Sequence, residues 1–227
     1  MSDLTKSAEG RIAALRRTTA ETDVDLSLNL DGSGKTDIAT GVGFLDHMLT
    51  LLAVHGNFDL MVHCTGDTQV DDHHTVEDIG IALGKAFAQA IGNKAGIARY
   101  GFMILPMDEA CVMSEAAFDT APQLAAEAGP DEAAVVAAVD ISGRDLLSYN
   151  LAIPTQKVGT FDTELVEEFW QGFVRTAACA VHIRTLAGTN AHHIIEGAFK
   201  SAARSLRDAV RIDPEFADEI PSTKGVL

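Results

Sequence analysis

The pattern of polar and apolar residues predicts a strand near the start of the chain. Over 22–30, TDVDLSLNL alternates polar and apolar positions, which places its valine and leucines on one face. The turn sequence DGSGK leads to a second predicted strand over 36–44. A helix is predicted over 45–54 and a third strand over 57–64. Over 72–91 apolar residues recur every three or four positions, which predicts an amphipathic helix and the order β-β-α-β-α.

The second half of the chain repeats this order. Strands are predicted over 108–118, 134–143 and 180–186, and helices over 163–178 and 192–210. Such self-similarity indicates that one β-β-α-β-α unit has been duplicated.

The sequence HHxxE occurs once in each half, in DDHHTVED and in AHHIIEG. Aligning the halves also matches LDHM with VEEF, so that Glu168 stands opposite His47. Residues three or four apart share a face of a helix, whereas adjacent residues diverge by about 100°. Glu77 can therefore reach one ion together with either His73 or His74, but the two histidines favour different ions. The doubled cluster thus predicts two metal sites.

The ligand types narrow the choice of metal. Imidazole and carboxylate groups without a thiolate favour Mn²⁺, Fe²⁺ or Zn²⁺. The neighbouring carboxylates of Asp71, Asp72 and Asp78 are predicted to accept hydrogen bonds from the imidazoles. The closing sequence PSTKGVL has the composition of an anion-binding nest, which is a weak signal alone.

Composition and charge exclude some classes of function. The formal net charge of -16 argues against a nucleic acid or membrane partner, although a small anionic substrate stays possible. The three cysteines show no CxxC pair, which predicts reduced thiols. We find no signal peptide and no apolar run of membrane-spanning length, and we predict a cytoplasmic protein.

Six blocks of sequence resemble the imidazoleglycerol-phosphate dehydratase family of histidine biosynthesis. They read TGVGFLDHML, GDTQVDDHHTVEDIGIALG, GIARYGFMILPMDEA, DISGR, LAGTNAHHIIEGAFKSAARSLR and PSTKGVL, in that order along almost the whole chain. The resemblance implies an α+β fold of two β-β-α-β-α half-domains, like domain 2 of ribosomal protein S5, with sheets packed against helices. It implies one dehydratase domain over 1–227, with pseudo-repeats at about 18–96 and 97–211 and a phosphate-binding tail at 212–227.

The resemblance also implies a metal centre between subunits. Members of the family hold two Mn²⁺ ions per active site. They assemble as homo-oligomers, which are octahedral shells of 24 subunits built from trimers. Carried over motif by motif, the ligands are His47, His73, His74, Glu77, His192, His193 and Glu196. Where many relatives have a further histidine ligand this chain has Glu168, which we expect to bind the metal in its place, with water as the alternative. A second departure is an inserted loop at roughly 116–134.

The implied substrate is D-erythro-imidazole glycerol phosphate, which loses water to give imidazole acetol phosphate. The matching substrate-binding positions are Glu21, Arg99, Arg144, Lys200, Ser222, Thr223 and Lys224. We expect the reaction to pass through a metal-stabilised imidazolate and a diazafulvene-like intermediate. Glu21 is the candidate acid or base, and His47 and Glu77 complete the predicted catalytic set.

Two other functions fit the same ligand types. A dinuclear-metal phosphohydrolase would use similar ligands and would release inorganic phosphate. A metal-storing shell of the ferritin kind also carries carboxylate and histidine ligands on helices, and would show no turnover.

Overall fold

The first half of the molecule forms a four-stranded sheet covered by two helices. The computed structural model describes residues 10–107 and 133–227. The strands and helices of this half are β1 (Ile12–Thr18), β2 (Thr22–Asn29), β3 (Thr36–Ala39), α1 (Gly43–Gly56), β4 (Asp59–Gly66) and α2 (His73–Ile91). The strand order is β1-β2-β4-β3, with β3 parallel to β4 and the other pairs antiparallel.

The second half repeats the same topology. Its elements are β5 (Tyr100–Met107), β6 (Ala133–Asp140), β7 (Leu146–Asn150), a short hairpin of β8 (Lys157–Val158) and β9 (Phe161–Asp162), α3 (Leu165–Ala177), β10 (Ala180–Ala187) and α4 (Ala191–Val210). The order β5-β6-β10-β7 matches that of the first sheet strand for strand, and β7 is parallel to β10 as β3 is to β4. The predicted α+β fold and its duplication are confirmed.

Both halves contain strands that the pattern did not predict: β1 in the first half, and β5, β7 and the β8–β9 hairpin in the second. Three of them, β1, β5 and β7, are edge strands, which carry a weak signal. Strand β1 at 12–18 buries only Ala13, so its sequence reads as a polar lead-in. It pairs with β2 throughout, so the first sheet begins at residue 12. Strand β7 alternates between exposed and half-buried residues, and it too was missed. The predicted strand over 108–118 and most of the loop at 116–134 lie outside the described residues.

The helices of the two halves pack against each other. Helix α2 lies on β1 and β2 and contacts α3, while α4 lies on β5 and β6 and contacts α1. The apolar residues of both halves therefore form one continuous core. In the described parts of the chain, none of the helices combines the length and apolar character needed to cross a bilayer. The packing of α1 on α4 brings together the N-terminal halves of these two helices, and with them several of the predicted ligands.

Candidate active site

The N-terminal halves of α1 and α4 bring three predicted metal ligands together. Single ligand atoms of His47, His192 and Glu196 all lie within 4.8 Å of one another. The Oε2 atom of Glu196 is 3.1 Å from Nε2 of His192 and 3.6 Å from Nε2 of His47. The ring of Phe44 packs edge-on against His192, with centroids 5.3 Å apart. A chelating group thus forms between the two halves, from residues that are almost 150 positions apart in the sequence.

Glu196 is held as a carboxylate. Burial by itself would raise the pKa of its carboxyl group, but a hydrogen bond and the positive charge of Lys200, together with His47 and His192, lower it. Lys200 lies one turn further along α4 and forms an ion pair with Oε1 of Glu196. The predicted phosphate ligand Lys200 therefore lies beside the metal-ligand group within one chain.

The adjacent histidines diverge in both halves. The rings of His73 and His74 have centroids 6.1 Å apart and an interplanar angle of 83°. The corresponding values for His192 and His193 are 6.1 Å and 88°. The two imidazoles of each pair therefore point to different places, as the helical spacing requires. The Nδ1 atom of His193 is buried, and residues 10–107 and 133–227 offer it no hydrogen-bond partner.

A carboxylate that the sequence did not indicate orients His74. Asp67 accepts a hydrogen bond from Nδ1 of His74 at 3.0 Å, and Oε1 of Glu21 lies 3.9 Å from Nε2. The hydrogen bond to Asp67, aided by Glu21, raises the pKa of His74. A histidine whose Nδ1–H donates to a carboxylate presents Nε2 as its free ligand atom. The expectation that Asp78 would do this was wrong, because Asp78 instead forms an ion pair with Arg17.

The ligands of α2 and α3 do not converge within one chain. Oε1 of Glu77 lies 3.5 Å from Nη2 of Arg175, and Glu168 is half-buried in the first turn of α3. Among residues 10–107 and 133–227, only His47, His192 and Glu196 form a group of three or more potential ligands. The predicted roles of His73, Glu77 and Glu168 as metal ligands stay predictions.

A second group of predicted binding residues lies at the far end of α4. The backbone N–H of Arg99 donates to the carbonyl of Ala209 at 2.8 Å. Ala209 is nine residues beyond Lys200 in α4, which corresponds to about 14 Å along the helix axis. Arg144 is exposed and follows Gly143 in a turn. Gly143 lies against the end of the chain, because a Cβ atom added to Gly143 would be 2.7 Å from the carbonyl carbon of Leu227.

The tail returns to this end of the second sheet. Nη1 of Arg99 donates to the carbonyl of Pro221 at 2.9 Å, and the backbone N–H of Lys224 donates to Oγ of Ser222 at 3.2 Å. Thr223 and Lys224 are exposed. The structure thus brings Arg99, Arg144 and the tail together but keeps them apart from Lys200.

Comparison with known proteins identifies the family. The family model described as "Imidazoleglycerol-phosphate dehydratase" matches residues 40–130 and 125–206. The imidazoleglycerol-phosphate dehydratase of Jannaschia sp. is 50% identical over 96% of this chain and 100% of its own length, and that of Methylorubrum extorquens is 52% identical with the same coverage. The crystal structure of the Staphylococcus aureus enzyme aligns with a TM-score of 0.72 and 38% identity, over 89% of this chain and 99% of the other. The Pyrococcus furiosus IGPD in complex with (S)-C348 aligns with a TM-score of 0.72 and 34% identity, over 94% and 100%. The chain therefore belongs to the imidazoleglycerol-phosphate dehydratase family, the hydro-lyases that act in histidine biosynthesis.

Proposed function

We propose that this dehydratase holds two Mn²⁺ ions per active site and converts D-erythro-imidazole glycerol phosphate to imidazole acetol phosphate. The observation that carries the proposal is the meeting of His47, His192 and Glu196 within 4.8 Å. Two imidazole nitrogens and a carboxylate, without a thiolate, are a donor set that suits Mn²⁺. The buried Nδ1 of His193, for which the described part of the chain offers no hydrogen-bond partner, supports the fit, since such an atom normally has one.

The separation of the groups within one chain supports an active site shared between subunits. The ligands on α2 do not converge with the group on α1 and α4, and Lys200 lies about 14 Å along α4 from the position that binds Arg99. A site that needs all of them requires more than one copy of the chain. We therefore propose a homo-oligomer, and specifically a 24-subunit octahedral shell built from trimers. We also propose that Glu168 is a further metal ligand. The cytoplasmic location stays a prediction.

The substrate poses a chemical difficulty, because the carbon that loses its proton has no adjacent carbonyl group. Mn²⁺ held by the group of His47, His192 and Glu196 and by the predicted ligands on α2 would supply positive charge that favours the imidazolate form of the substrate ring. The electron pair of the imidazolate would then expel the hydroxyl group next to the ring, and this group would take up a proton and leave as water. The C–H bond of the proposed diazafulvene-like intermediate would be acidified, so that a base could remove its proton and give an enol that tautomerises to the ketone.

The position of Glu21 supports the proposal that it moves these protons. Its side chain is half exposed, and its Oε1 lies 3.9 Å from Nε2 of His74, a predicted metal ligand. A carboxylate beside the imidazole ring of the bound substrate could donate a proton to the leaving hydroxyl group or accept one from the substrate carbon. Asp67 fixes the ring of His74 on the other side and so sets the geometry between ring and carboxylate.

The phosphate group would bind at positions drawn from the middle of α4 and from the region beside its C-terminal end. The proposed contacts are Arg99, Arg144, Lys200, Ser222, Thr223 and Lys224. Guanidinium groups suit phosphate because they present paired N–H donors to two oxygens at once.

The proposal is tested by turnover of imidazole glycerol phosphate, followed by mass spectrometry, with chelator-stripped protein and with added Mn²⁺. We expect a Mn²⁺-dependent product that is lighter by one water and keeps its phosphate. Release of inorganic phosphate would favour the phosphohydrolase, and many bound ions without turnover would favour the storage shell. Equal turnover with and without metal would refute the role of Mn²⁺.

Two variants separate binding from chemistry. Glu196→Gln should lower Mn²⁺ affinity by about tenfold or more, measured as metal retained after dialysis, because it removes a carboxylate from the ligand group. Glu215→Gln, at an exposed position, serves as the control and should retain metal like the wild type. Glu21→Gln should bind metal and substrate but lose about 10²-fold or more in kcat. Full turnover by Glu21→Gln would remove Glu21 from the mechanism.

A further inference from the structure

The guanidinium group of Arg99 is held by a carboxylate outside the predicted site. Asp140, the last residue of β6, accepts hydrogen bonds from Nε of Arg99 at 2.8 Å and from Nη2 at 3.4 Å. Both side chains are largely covered, with 16% of the Arg99 side chain and 28% of the Asp140 side chain exposed. The guanidinium carbon lies 4.7 Å from the centroid of the Tyr100 ring. Paired hydrogen bonds and the ring together fix the plane of the guanidinium group.

The backbone of Arg99 is fixed as firmly as its side chain. Arg99 has φ +70°, in the left-handed region that an L residue with a side chain rarely adopts. Its N–H donates to Ala209 at 2.8 Å, and its carbonyl accepts from Ile141 at 3.1 Å. An unfavourable conformation persists only where its surroundings over-determine it, and such positions cluster at functional sites.

The third contact of the guanidinium group reaches the tail. Nη1 donates to the carbonyl of Pro221 at 2.9 Å. The next residue, Ser222, begins a tight turn in which its carbonyl accepts from Gly225 at 2.9 Å and its Oγ accepts from Lys224. Arg99 therefore connects Asp140 to the residue immediately before the Ser222–Gly225 turn.

We infer that Asp140 is a positioning residue that holds Arg99 on the tail and so sets the Ser222–Gly225 turn for phosphate binding. This inference rests on the proposed function, which assigns Arg99 and the tail to the phosphate. A guanidinium group has five N–H donors, and the three contacts described use three of them. No acceptor for the other two is found among residues 10–107 and 133–227, so they can donate to a phosphate while Asp140 and Pro221 hold the group in place.

Simple electrostatics predicts the opposite effect for the loss of Asp140. Removing a negative charge beside an anion site should strengthen anion binding. Asp145 provides the matched control, since it is an exposed aspartate next to Arg144 in the same region of the chain. If charge alone mattered, Asp140→Asn and Asp145→Asn would both bind phosphate at least as well as the wild type.

The first test is amide hydrogen exchange of residues 222–225 in the assembled protein without ligand. We expect about tenfold faster exchange in Asp140→Asn, because a charge-assisted link to the tail is weakened, and no change in Asp145→Asn. Asp140→Glu, which keeps the carboxylate, should recover part of the protection. Circular dichroism and the assembly size establish that each variant is folded. Wild-type exchange rates in a folded Asp140→Asn protein would overturn the inference.

The second test is inorganic phosphate binding and steady-state kinetics. We expect Asp140→Asn to raise both the Kd for inorganic phosphate and the KM for substrate about tenfold, with kcat changed less than about threefold, because the lost interaction serves binding. Unchanged or tighter phosphate binding in Asp140→Asn would overturn the inference. If the wild-type protein neither turns over nor binds phosphate, the proposed function fails, while the exchange experiment still decides whether Asp140 holds the tail.

Discussion

Gly80 allows α2 to approach α3 more closely than a residue with a side chain would. A Cβ atom at this position would lie 2.4 Å from the carbonyl oxygen of Phe169, and 3.2 and 3.3 Å from its carbonyl carbon and Cα. Ordinary contacts of a Cβ atom begin at 3.4 Å. All three neighbouring atoms belong to the backbone, so no change of rotamer can relieve the overlap. Gly80→Ala must therefore move the two helices apart by about 1 Å.

The expected loss of stability follows from two opposing contributions. Overpacking of a core costs about 1–3 kcal/mol, and the upper half of that range applies where only backbone movement gives relief. Alanine returns about 1 kcal/mol through its better helix propensity. The free energy of unfolding should thus fall by about 1–2 kcal/mol, which for a chain of this length lowers the Tm by roughly 2–8 °C.

The assay is thermal unfolding at a fixed protein concentration, since association also contributes to the Tm. Gly43→Ala is the matched control, because Gly43 lies in α1 and a Cβ atom there would meet nothing within 4 Å. The control should melt at or slightly above the wild-type temperature. A Gly80→Ala protein that melts with the control would refute the close contact between α2 and α3.

Three further predictions concern the core, an acidic turn and a thiol. Phe199 is 1% exposed, so Phe199→Ala should lower the free energy of unfolding in a urea titration by about 3–5 kcal/mol. Phe216 is 52% exposed, so the control Phe216→Ala should change this free energy by less than about 0.5 kcal/mol. Hydrogen bonds from backbone N–H groups, of which that of Ser33 has the largest effect, lower the pKa of Asp59 in the folded protein. The carboxylate therefore stabilises the fold fully at a pH above its pKa in the unfolded chain, and this stabilisation is lost as the pH falls through its pKa in the folded protein. Asp59→Asn should therefore lower stability at pH 7 by about 1 kcal/mol and flatten its decline in acid, and an unaltered pH profile would contradict this. Burial raises the pKa of Cys179 to about 12, so a thiol reagent at pH 8 should leave it unlabelled until the protein is denatured, as peptide mass spectrometry can show.

Much of the fold could be predicted from periodicity alone. Helix α2 was expected over 72–91 and spans His73–Ile91, because one face of it is buried and that face determines where apolar residues occur. Strand β1 was not predicted because it buries only Ala13 and so has no periodic pattern of apolar residues. The repeat was visible because both halves bury the same faces in the same order.

The sequence alone determined the two HHxxE clusters, the divergence of each adjacent histidine pair and the family of the chain. These are local properties, fixed by helical geometry and by the order of residues. Only the tertiary structure decided that His47 meets His192 and Glu196, and that Lys200 pairs with Glu196 and lies apart from Arg99. It also revealed Asp67 and Asp140, which no spacing pattern connects to their partners. The physical reason is that distances between helices and strands depend on how two apolar surfaces pack, which no single segment encodes.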